Sequence, residues 1–266
     1  MLPSIGVGTY KLKGQEVIDS VTNALDLGYR HIDTAQVYDN EREVGQAIAA
    51  SGVPRDDIFL TTKVWTDRFR HDDLIASLRE SLERLGTEYV DLVLLHWPSP
   101  GGEVPVAESI GALAEARRLG LTRHIGVSNF TNAQLDEALN VEGGDQIITN
   151  QVEVHPFLAN RKVVDHCEAR GVKVTGYMPV ARGKVMEDDT LKAIAEEQNA
   201  TPAQIALAWV ASRDIVVIPS STKREHLAAN LEAMKISLTA DEMTRIDELD
   251  RGERIANPSF APEWDE

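Results

Sequence analysis

The sequence has little cysteine, no long apolar run and no signal-peptide pattern. Its single cysteine, Cys167, cannot form a disulfide within the chain, which is typical of a reducing compartment. No stretch of about 18 apolar residues occurs, so no transmembrane helix is predicted. The opening MLPSIGVGTYKLKG has no basic start, apolar run and cleavage site of a signal peptide. We therefore expect a cytoplasmic protein that does not associate with membranes.

Positive charge is also scarce. The chain has 27 Lys and Arg against 43 Asp and Glu, for a net charge of -16. A surface this negative repels nucleic acids and anionic membranes, so neither is expected as a partner. It also repels an anionic cofactor, so a phosphate site needs a local basic cluster. Abundant acid, with more Arg than Lys, is typical of adaptation to high salt as well, and we hold this as a hypothesis.

Short apolar segments rich in Val and Ile alternate with amphipathic helical segments. Continuous apolar runs are typical of strands that are buried on both faces of a parallel sheet. Eight such units in about 250 residues predict one (β/α)8 barrel domain over residues 1–266, with an open doubly wound sheet as the alternative. The predicted strands are 5–9, 30–34, 58–64, 90–96, 123–129, 147–154, 172–178 and 215–220.

Helix ends carry recognisable capping residues. Gly120 and Gly171 occupy positions where a helix C-terminal glycine is expected. A Thr followed three residues later by Gln or Glu is typical of a capping box. The predicted boxes begin at Thr131, Thr201 and Thr239.

Ionisable side chains stand where the predicted strands end. Asp33, Lys63 and His96 end three consecutive strands, and Tyr38 follows in a loop. In a (β/α)8 barrel these strand ends form one rim, where active sites are built. Each residue alone has a structural explanation, such as turn capping or surface packing. Ionisable groups gathered at the ends of apolar strands are costly unless they pair, so the combination predicts a functional site.

The sequence lacks the G-x-G-x-x-G pattern of a Rossmann dinucleotide site, because the early GVGT segment has no third glycine. Instead, IPSSTKRE follows the last predicted strand and opens a helix. Helix N-termini bind phosphate, and the usual phosphate site of this barrel lies near strands 7 and 8. Thr222 with Glu225 could equally form a plain capping box. The candidate cofactor residues here are Pro219, Ser220, Ser221, Thr222, Lys223 and Arg224.

The spaced motifs closely resemble the aldo-keto reductase superfamily over essentially the whole chain. The matching segments are GYRHIDTAQVYDNEREVGQAI, TTKVW, VDLVLLHWP, IGVSNF, NQVEVHPF and IPSSTKREHLAANL. Within the family the chain looks most like the short bacterial 2,5-diketogluconate reductase B type, which is also described as reducing methylglyoxal. Many members carry a hairpin before the first strand. Because that strand starts by about residue 5 here, we expect the hairpin to be absent or minimal.

The resemblance implies that Asp33, Tyr38, Lys63 and His96 form a catalytic tetrad. Tyr38 would protonate a carbonyl oxygen as a nicotinamide delivers hydride to the carbonyl carbon. A free tyrosine is a weak acid, and Lys63 is expected to lower its pKa. Asp33 would keep Lys63 charged, and His96 would orient the carbonyl. No metal site is expected.

The resemblance also implies a groove for NADPH. Ser128, Asn129 and Gln151 would bind the nicotinamide carboxamide, and Tyr177 would stack on its ring. The alternative for Gln151 is a structural hydrogen bond at the strand end.

The phosphate end departs from the commoner family pattern Ile-Pro-Lys-Ser with a later Arg. Ser220 stands where the Lys would be and His226 where the Arg would be, although Asn230 remains as a cofactor candidate. Lys223 and Arg224 could replace the lost cations beside a 2′-phosphate. NADPH is therefore predicted over NADH.

Aromatic residues mark the predicted substrate side. Tyr10, Trp65 and Trp97 are expected to line the mouth together with His96, and Trp264 to reach over from the tail. Aromatic walls suit a small carbonyl compound, although simple rim packing of the Trp residues is the alternative. The short loops indicate an open pocket that accepts small aldehydes, dicarbonyls and keto-sugars.

Three functional hypotheses follow. The first is a monomeric, NADPH-dependent carbonyl reductase. The second is a barrel that binds NADPH without useful turnover, which the complete tetrad disfavours. The third is an NAD(P)-dependent alcohol dehydrogenase working mainly towards oxidation, because the chemistry is reversible and the residues do not set its direction.

Overall fold

Eight parallel strands follow one another around a barrel in the order of the chain. The structure is a computed structural model that describes residues 2–265. Every neighbouring pair from the first strand to the eighth is parallel, which confirms the predicted barrel over the open sheet. Met1 and Glu266, which the predicted domain includes, lie outside the described residues. The strands are β1 (Val7–Gly8), β2 (His31–Asp33), β3 (Phe59–Val64), β4 (Val90–Leu95), β5 (Thr122–Ser128), β6 (Ile147–Glu153), β7 (Lys173–Tyr177) and β8 (Val216–Val217).

A seam joins the first strand to the last and closes the ring. Ile5 forms a parallel bridge with Val217. The Gly6 amide donates to the Val217 carbonyl at 2.8 Å, and the Gly8 amide donates to the Pro219 carbonyl at 2.9 Å. The segments that the sequence predicts as the first and last strands are therefore continuous with the sheet, although their regular portions are only two residues long.

Ten α-helices surround the strands in the described part of the chain. One follows each of the first six strands, and two follow each of the last two. None of them is both long and apolar enough to cross a membrane. The helices are α1 (Gln15–Leu27), α2 (Glu41–Ala50), α3 (His71–Leu85), α4 (Val106–Arg118), α5 (Asn132–Leu139), α6 (Arg161–Ala169), α7 (Asp189–Glu197), α8 (Pro202–Ser212), α9 (Arg224–Ala233) and α10 (Ala240–Asp247).

Helix capping follows the sequence closely. The capping boxes at Thr131, Thr201 and Thr239 are all present, each with the reciprocal hydrogen bonds. Gly120 and Gly171 have positive φ angles of 75° and 68°, as a left-handed helix end requires. The alternative box at position 222 is wrong. The residue before α9 is position 223, and no side chain caps that helix.

The helices pack through apolar faces that exclude water from the barrel wall. In α3, Leu74, Leu78 and Leu82 are buried, and burying each side chain contributes about 2 kcal/mol. Gly45 in α2 lets that helix approach the end of α3 closely, because a Cβ there would stand 2.4 Å from the Leu85 carbonyl oxygen. This contact fixes α2, and with it the loop between β2 and α2, against the barrel.

The barrel floor is closed by side chains. Residues 2–6 form no hairpin before β1, and Leu2 packs against a small cluster of Phe59, Leu92 and Leu94. His31 is buried above them, and its Nε2 lies 3.2 Å from the Thr61 hydroxyl. Burial lowers the pKa of His31 to about 4, so the ring is neutral at physiological pH.

Candidate active site

A cavity of about 880 Å³ opens at the carboxyl ends of the strands, where the barrel rim was expected to carry the chemistry. We call it the mouth cavity. Residues from the strand ends, from the loops after β1 and β7, and from the C-terminal segment (residues 248–265) line it. The predicted site residues on its lining are Tyr10, Asp33, Tyr38, Trp65, His96, Trp97, Ser128, Asn129, Gln151, Tyr177, Pro219 and Ser220.

Lys63 lies beneath this lining and is fully buried. Its ammonium donates to Asp33 Oδ1 at 2.5 Å and to the Thr34 carbonyl at 2.8 Å. The Tyr38 hydroxyl is 3.4 Å away from the same nitrogen. Because β2 and β3 are neighbours in register, their ends bring the acid, the cation and the phenol together, as the strand-end pattern predicts.

The expectation that Lys63 lowers the pKa of Tyr38 is wrong. Burial raises the pKa of Tyr38 well above its ordinary value, and the negative charge of Asp33 raises it further. The physical reason is that desolvation of the phenol is the largest effect, while the ammonium of Lys63 pairs directly with Asp33 rather than with Tyr38. Tyr38 is consequently protonated at neutral pH, which is the form that can give a proton.

His96 is a neutral imidazole at the cavity surface. Burial, with the nearby charge of Lys63, lowers its pKa well below the ordinary value. Its ring packs edge-on to Trp65 at 5.1 Å and to Tyr38 at 5.6 Å between centroids. A neutral imidazole can donate one hydrogen bond to a substrate oxygen without adding charge to the site.

A ring of polar side chains extends from the tetrad across the cavity. Gln151 donates to Asp33 Oδ2 at 2.8 Å. Asn129 has a positive φ of 62°, and its amide donates to the His96 carbonyl at 3.0 Å and to the Ser128 hydroxyl at 3.1 Å. The Tyr177 hydroxyl donates to the Asn129 side-chain oxygen at 2.8 Å. These four side chains, predicted as one group, are indeed adjacent.

The predicted phosphate cluster is only partly at the cavity. Pro219 and Ser220 line it, whereas Ser221, Thr222 and Lys223 do not. Ser221 is tied to α1, because the Ser20 hydroxyl donates to its carbonyl at 2.7 Å. This cluster therefore lies on the rim beyond the cavity.

Two further cofactor candidates already have partners within the fold. The Arg224 guanidinium lies 3.0 Å from both the Asn23 side-chain oxygen and Asp26 Oδ2, two residues of α1. Asn230 is buried beside Tyr29, whose hydroxyl donates to the Leu227 carbonyl of the same helix at 2.9 Å. Within residues 2–265, the Lys223 ammonium has no hydrogen-bond or ion-pair partner. Of the two predicted phosphate-binding cations, Lys223 is therefore freer than Arg224 to bind a ligand.

Aromatic side chains form the outer wall of the mouth cavity. Phe260 packs edge-on to Trp65 at 5.8 Å and to Trp97 at 5.5 Å. Trp264 contacts Trp97 at 6.0 Å, as its predicted reach over the mouth requires. The sequence analysis missed Phe260, whose only signal is an aromatic residue four positions before Trp264.

Three cations on the cavity lining also escaped the sequence analysis: Lys11 and Lys13 after β1, and Arg182 after β7. Lys13 donates to the Tyr38 carbonyl at 2.6 Å and so links the two loops. The signal for the two lysines was the YKLKG segment, which places them close together in a chain that is poor in positive charge.

Comparison with known proteins agrees with this geometry. The profile of the Aldo/keto reductase family matches residues 4–251. The chain belongs to this family. It is 51% identical over 265 residues to methylglyoxal reductase DkgB of Salmonella typhi, covering 99% of each chain. It is 36% identical over 259 residues to glyoxal reductase of Bacillus subtilis (strain 168), covering 97% of this chain and 92% of that one.

A solved structure supports the same assignment. The chain superposes with a TM-score of 0.95 on the crystal structure of a protein assigned as a candidate 2,5-diketo-D-gluconic acid reductase B. The two are 46% identical, and the match covers 100% of this chain and 94% of that one. The predicted resemblance is confirmed, and this aldo-keto reductase is an oxidoreductase.

Proposed function

We propose that this enzyme reduces the carbonyl group of small aldehydes, dicarbonyls or keto-sugars with NADPH, and that Tyr38 gives the proton to the carbonyl oxygen. The observation that carries the proposal is the partly buried contact of the Tyr38 hydroxyl, 3.4 Å from a lysine that Asp33 holds at 2.5 Å. When bound, NADPH supplies the hydride.

The proton step rests on the charges around Tyr38. As negative charge grows on the substrate oxygen, the Tyr38 O–H bond breaks and the proton passes to that oxygen. Lys63 then stabilises the phenolate that remains, and Asp33 keeps Lys63 in place and charged. His96, as a neutral donor, orients the same oxygen.

The residues present fit the nicotinamide end of NADPH. Ser128, Asn129 and Gln151 place hydroxyl and amide groups on one side of the cavity, which suits a carboxamide with both a donor and an acceptor. Tyr177 is held beside them by its bond to Asn129, so its ring is available for stacking.

The fit at the phosphate end is local and cationic. Lys11 and Arg182 line the cavity of a protein whose net charge is -16, so they favour an anionic ligand at this place despite the acidic surface. Beyond Ser220, the free Lys223 is the cation that we assign to a 2′-phosphate. Arg224 contributes less, since Asp26 already neutralises it. We infer a preference for NADPH over NADH that is carried mainly by Lys223, with Asn230 holding the surrounding helix.

The substrate class follows from the wall and from the relatives. Trp65, Trp97 and Phe260 offer an apolar surface for a short carbon chain, with Tyr38 and His96 below for its oxygen. Tyr10 packs 5.2 Å from Tyr38 at the exposed edge. Relatives named as methylglyoxal and glyoxal reductases make a small dicarbonyl the first substrate to test.

We also propose that the enzyme works as a monomer in the cytoplasm, without nucleic-acid or membrane partners. Its one cysteine cannot form a disulfide within the chain, which is typical of a reducing compartment. Burial raises the pKa of Cys167 to about 11, which keeps the thiol unreactive. The acidic surface opposes contact with polyanions.

Consumption of NADPH with methylglyoxal tests the proposal. Tyr38→Phe should abolish turnover while leaving NADPH affinity within about twofold, because the variant removes only the donated proton. An active Tyr38→Phe variant would refute its role as donor. A wild-type protein that binds NADPH but reduces no small carbonyl would refute the proposed function itself.

A further inference from the structure

Glu153, at the end of β6, is fully buried and makes no contact with the tetrad that the structure records. Its carboxylate accepts two backbone hydrogen bonds from the C-terminal segment. The Ile255 amide donates to Oε1 at 2.7 Å, and the Ala256 amide donates to Oε2 at 2.7 Å. His155, also fully buried, places Nε2 2.9 Å from Oε1.

A buried carboxylate is costly unless its oxygens are hydrogen-bonded. Burial alone would raise the pKa of Glu153, but hydrogen bonds from His155, Ala256 and Ile255 hold it below the ordinary value. Two of these three donors belong to the C-terminal segment. The charge of Glu153 therefore has its full set of donors only while that segment lies in place, because His155 alone remains without it.

Further contacts extend the segment across the mouth cavity. Before the anchor, the Glu253 amide donates to the Phe157 carbonyl at 2.9 Å. After it, Phe260 packs on the Trp residues of the wall, and near its end Asp265 Oδ2 accepts the Asn132 amide at 2.8 Å. Residues 253–256 are only partly buried, and Ile255 alone among them packs against the main core, so hydrogen bonds carry much of the attachment of this stretch.

The position of the segment decides the shape of the substrate wall. Ile255, Ala256 and Phe260 all line the mouth cavity. Phe260 lies only four residues beyond the second anchored amide, a span of at most about 14 Å of chain. A shift of the anchor by a few ångströms would move the Phe260 ring away from Trp65 and Trp97.

We propose that Glu153 is a positioning residue that sets substrate selectivity, by fixing the C-terminal segment so that Phe260 completes the aromatic wall. This inference rests on the proposed carbonyl reductase function. Glu153 acts through the segment and touches neither substrate nor cofactor, so its removal alters which carbonyl compounds fit rather than the proton step.

The test is Glu153→Gln, which keeps the shape but places an NH₂ donor against one of the two tail amides. Loss of a hydrogen bond to a charged group weakens the anchor, so the amides of Ile255 and Ala256 should exchange hydrogen roughly tenfold or more faster. KM for methylglyoxal should rise about fivefold to tenfold with kcat little changed. A bulky aromatic aldehyde should lose less, so the selectivity ratio between the two substrates shifts.

Two other variants make the result specific. Glu248→Gln removes the same charge from an exposed position at the start of the segment, and should change neither exchange nor selectivity. Ala256→Pro removes one donor from the segment side and leaves β6 intact. It should reproduce the shift even if Glu153→Gln folds poorly.

The outcomes are distinct. Faster exchange with shifted selectivity supports the proposal. Faster exchange with unchanged selectivity, or unchanged exchange in both anchor variants, overturns it. A wild-type protein without carbonyl reduction would instead refute the proposed function, whereas an active wild type with unshifted variants would refute only the role of Glu153.

Discussion

Gln151 donates a 2.8 Å hydrogen bond to Asp33, through the carboxylate oxygen that Lys63 leaves free. One carboxylate thus holds both the lysine beneath Tyr38 and an amide on the cavity wall. The proposed cofactor site and the proposed proton site are consequently joined by one buried acid. A ligand that engages Gln151 also acts on the orientation of Asp33.

Replacing Gln151 with Leu should therefore affect two quantities at once. NADPH affinity should fall about fivefold to tenfold through loss of a hydrogen bond, and kcat should fall because Asp33 loses one of its two donors. Ser128→Ala is the control, since the Ser128 hydroxyl donates to the backbone carbonyl of Gln151 and not to its side chain. This variant should weaken NADPH binding and leave kcat unchanged. Equal effects of the two variants on kcat would contradict the idea that Asp33 links Gln151 to Lys63. Fluorescence titration and steady-state kinetics give both readings.

Replacing Lys63 with Met should lower kcat about 10²-fold to 10⁴-fold, because the phenolate of Tyr38 loses its counter-charge. It should also destabilise the protein by about 3 kcal/mol or more, since Asp33 stays buried without its cation. Lys13→Met is the matched control. Lys13 bonds the Tyr38 carbonyl from the exposed side, and its loss should leave both quantities nearly unchanged. Stopped-flow turnover and chemical unfolding measure them.

The two adjacent cations at the start of α9 should differ in their effect on cofactor choice. Lys223→Ala should reduce the NADPH to NADH ratio of kcat/KM by about tenfold, whereas Arg224→Ala should change it much less, because Asp26 already neutralises that guanidinium. Parallel kinetics with both cofactors decide between them. A larger loss from Arg224→Ala would show that the pair with Asp26 opens when the cofactor binds.

The buried His31 makes stability depend on pH. With a pKa of about 4 in the fold and about 6.5 when unfolded, it binds its proton more readily in the unfolded chain. Its contribution is full above pH 6.5 and is lost as the pH falls towards 4, by roughly 3 kcal/mol. His31→Gln should flatten the unfolding free energy over that window. A wild-type slope in His31→Gln would contradict the assignment.

The net charge of -16 makes a prediction about salt. Screening reduces self-repulsion in the folded state, so the melting temperature should rise between low and molar KCl. A thermal scan across a KCl series measures it. A melting temperature that stays constant or falls with KCl concentration would contradict the hypothesis of adaptation to high salt.

The sequence predicts a cluster of ionisable side chains at the strand ends because the information for it is local, whereas their catalytic roles come from the family resemblance. Asp33, Lys63 and His96 each end an apolar run, and the register of parallel strands places those ends on one rim. The capping boxes succeed for the same reason, since each involves residues three apart.

Features that depend on distant partners were out of reach. Glu153 meets Ile255 across about a hundred residues, and Arg224 meets Asp26 across about two hundred, with no periodicity that links them. The pKa of Tyr38 was also mistaken, because sequence names its neighbours but not the degree of its desolvation.

The seam between β1 and β8 has a consequence for how the protein is made. On the side away from β2, residues 5–8 pair with residues 217–219, so a ribosome must have released most of the chain before the ring can close. Until then the amides of Gly6 and Gly8 have no strand to pair with on that side. Because Ser220 immediately follows the seam, the proposed cofactor pocket cannot be complete before the ring closes, and a nascent chain stalled earlier has an open barrel.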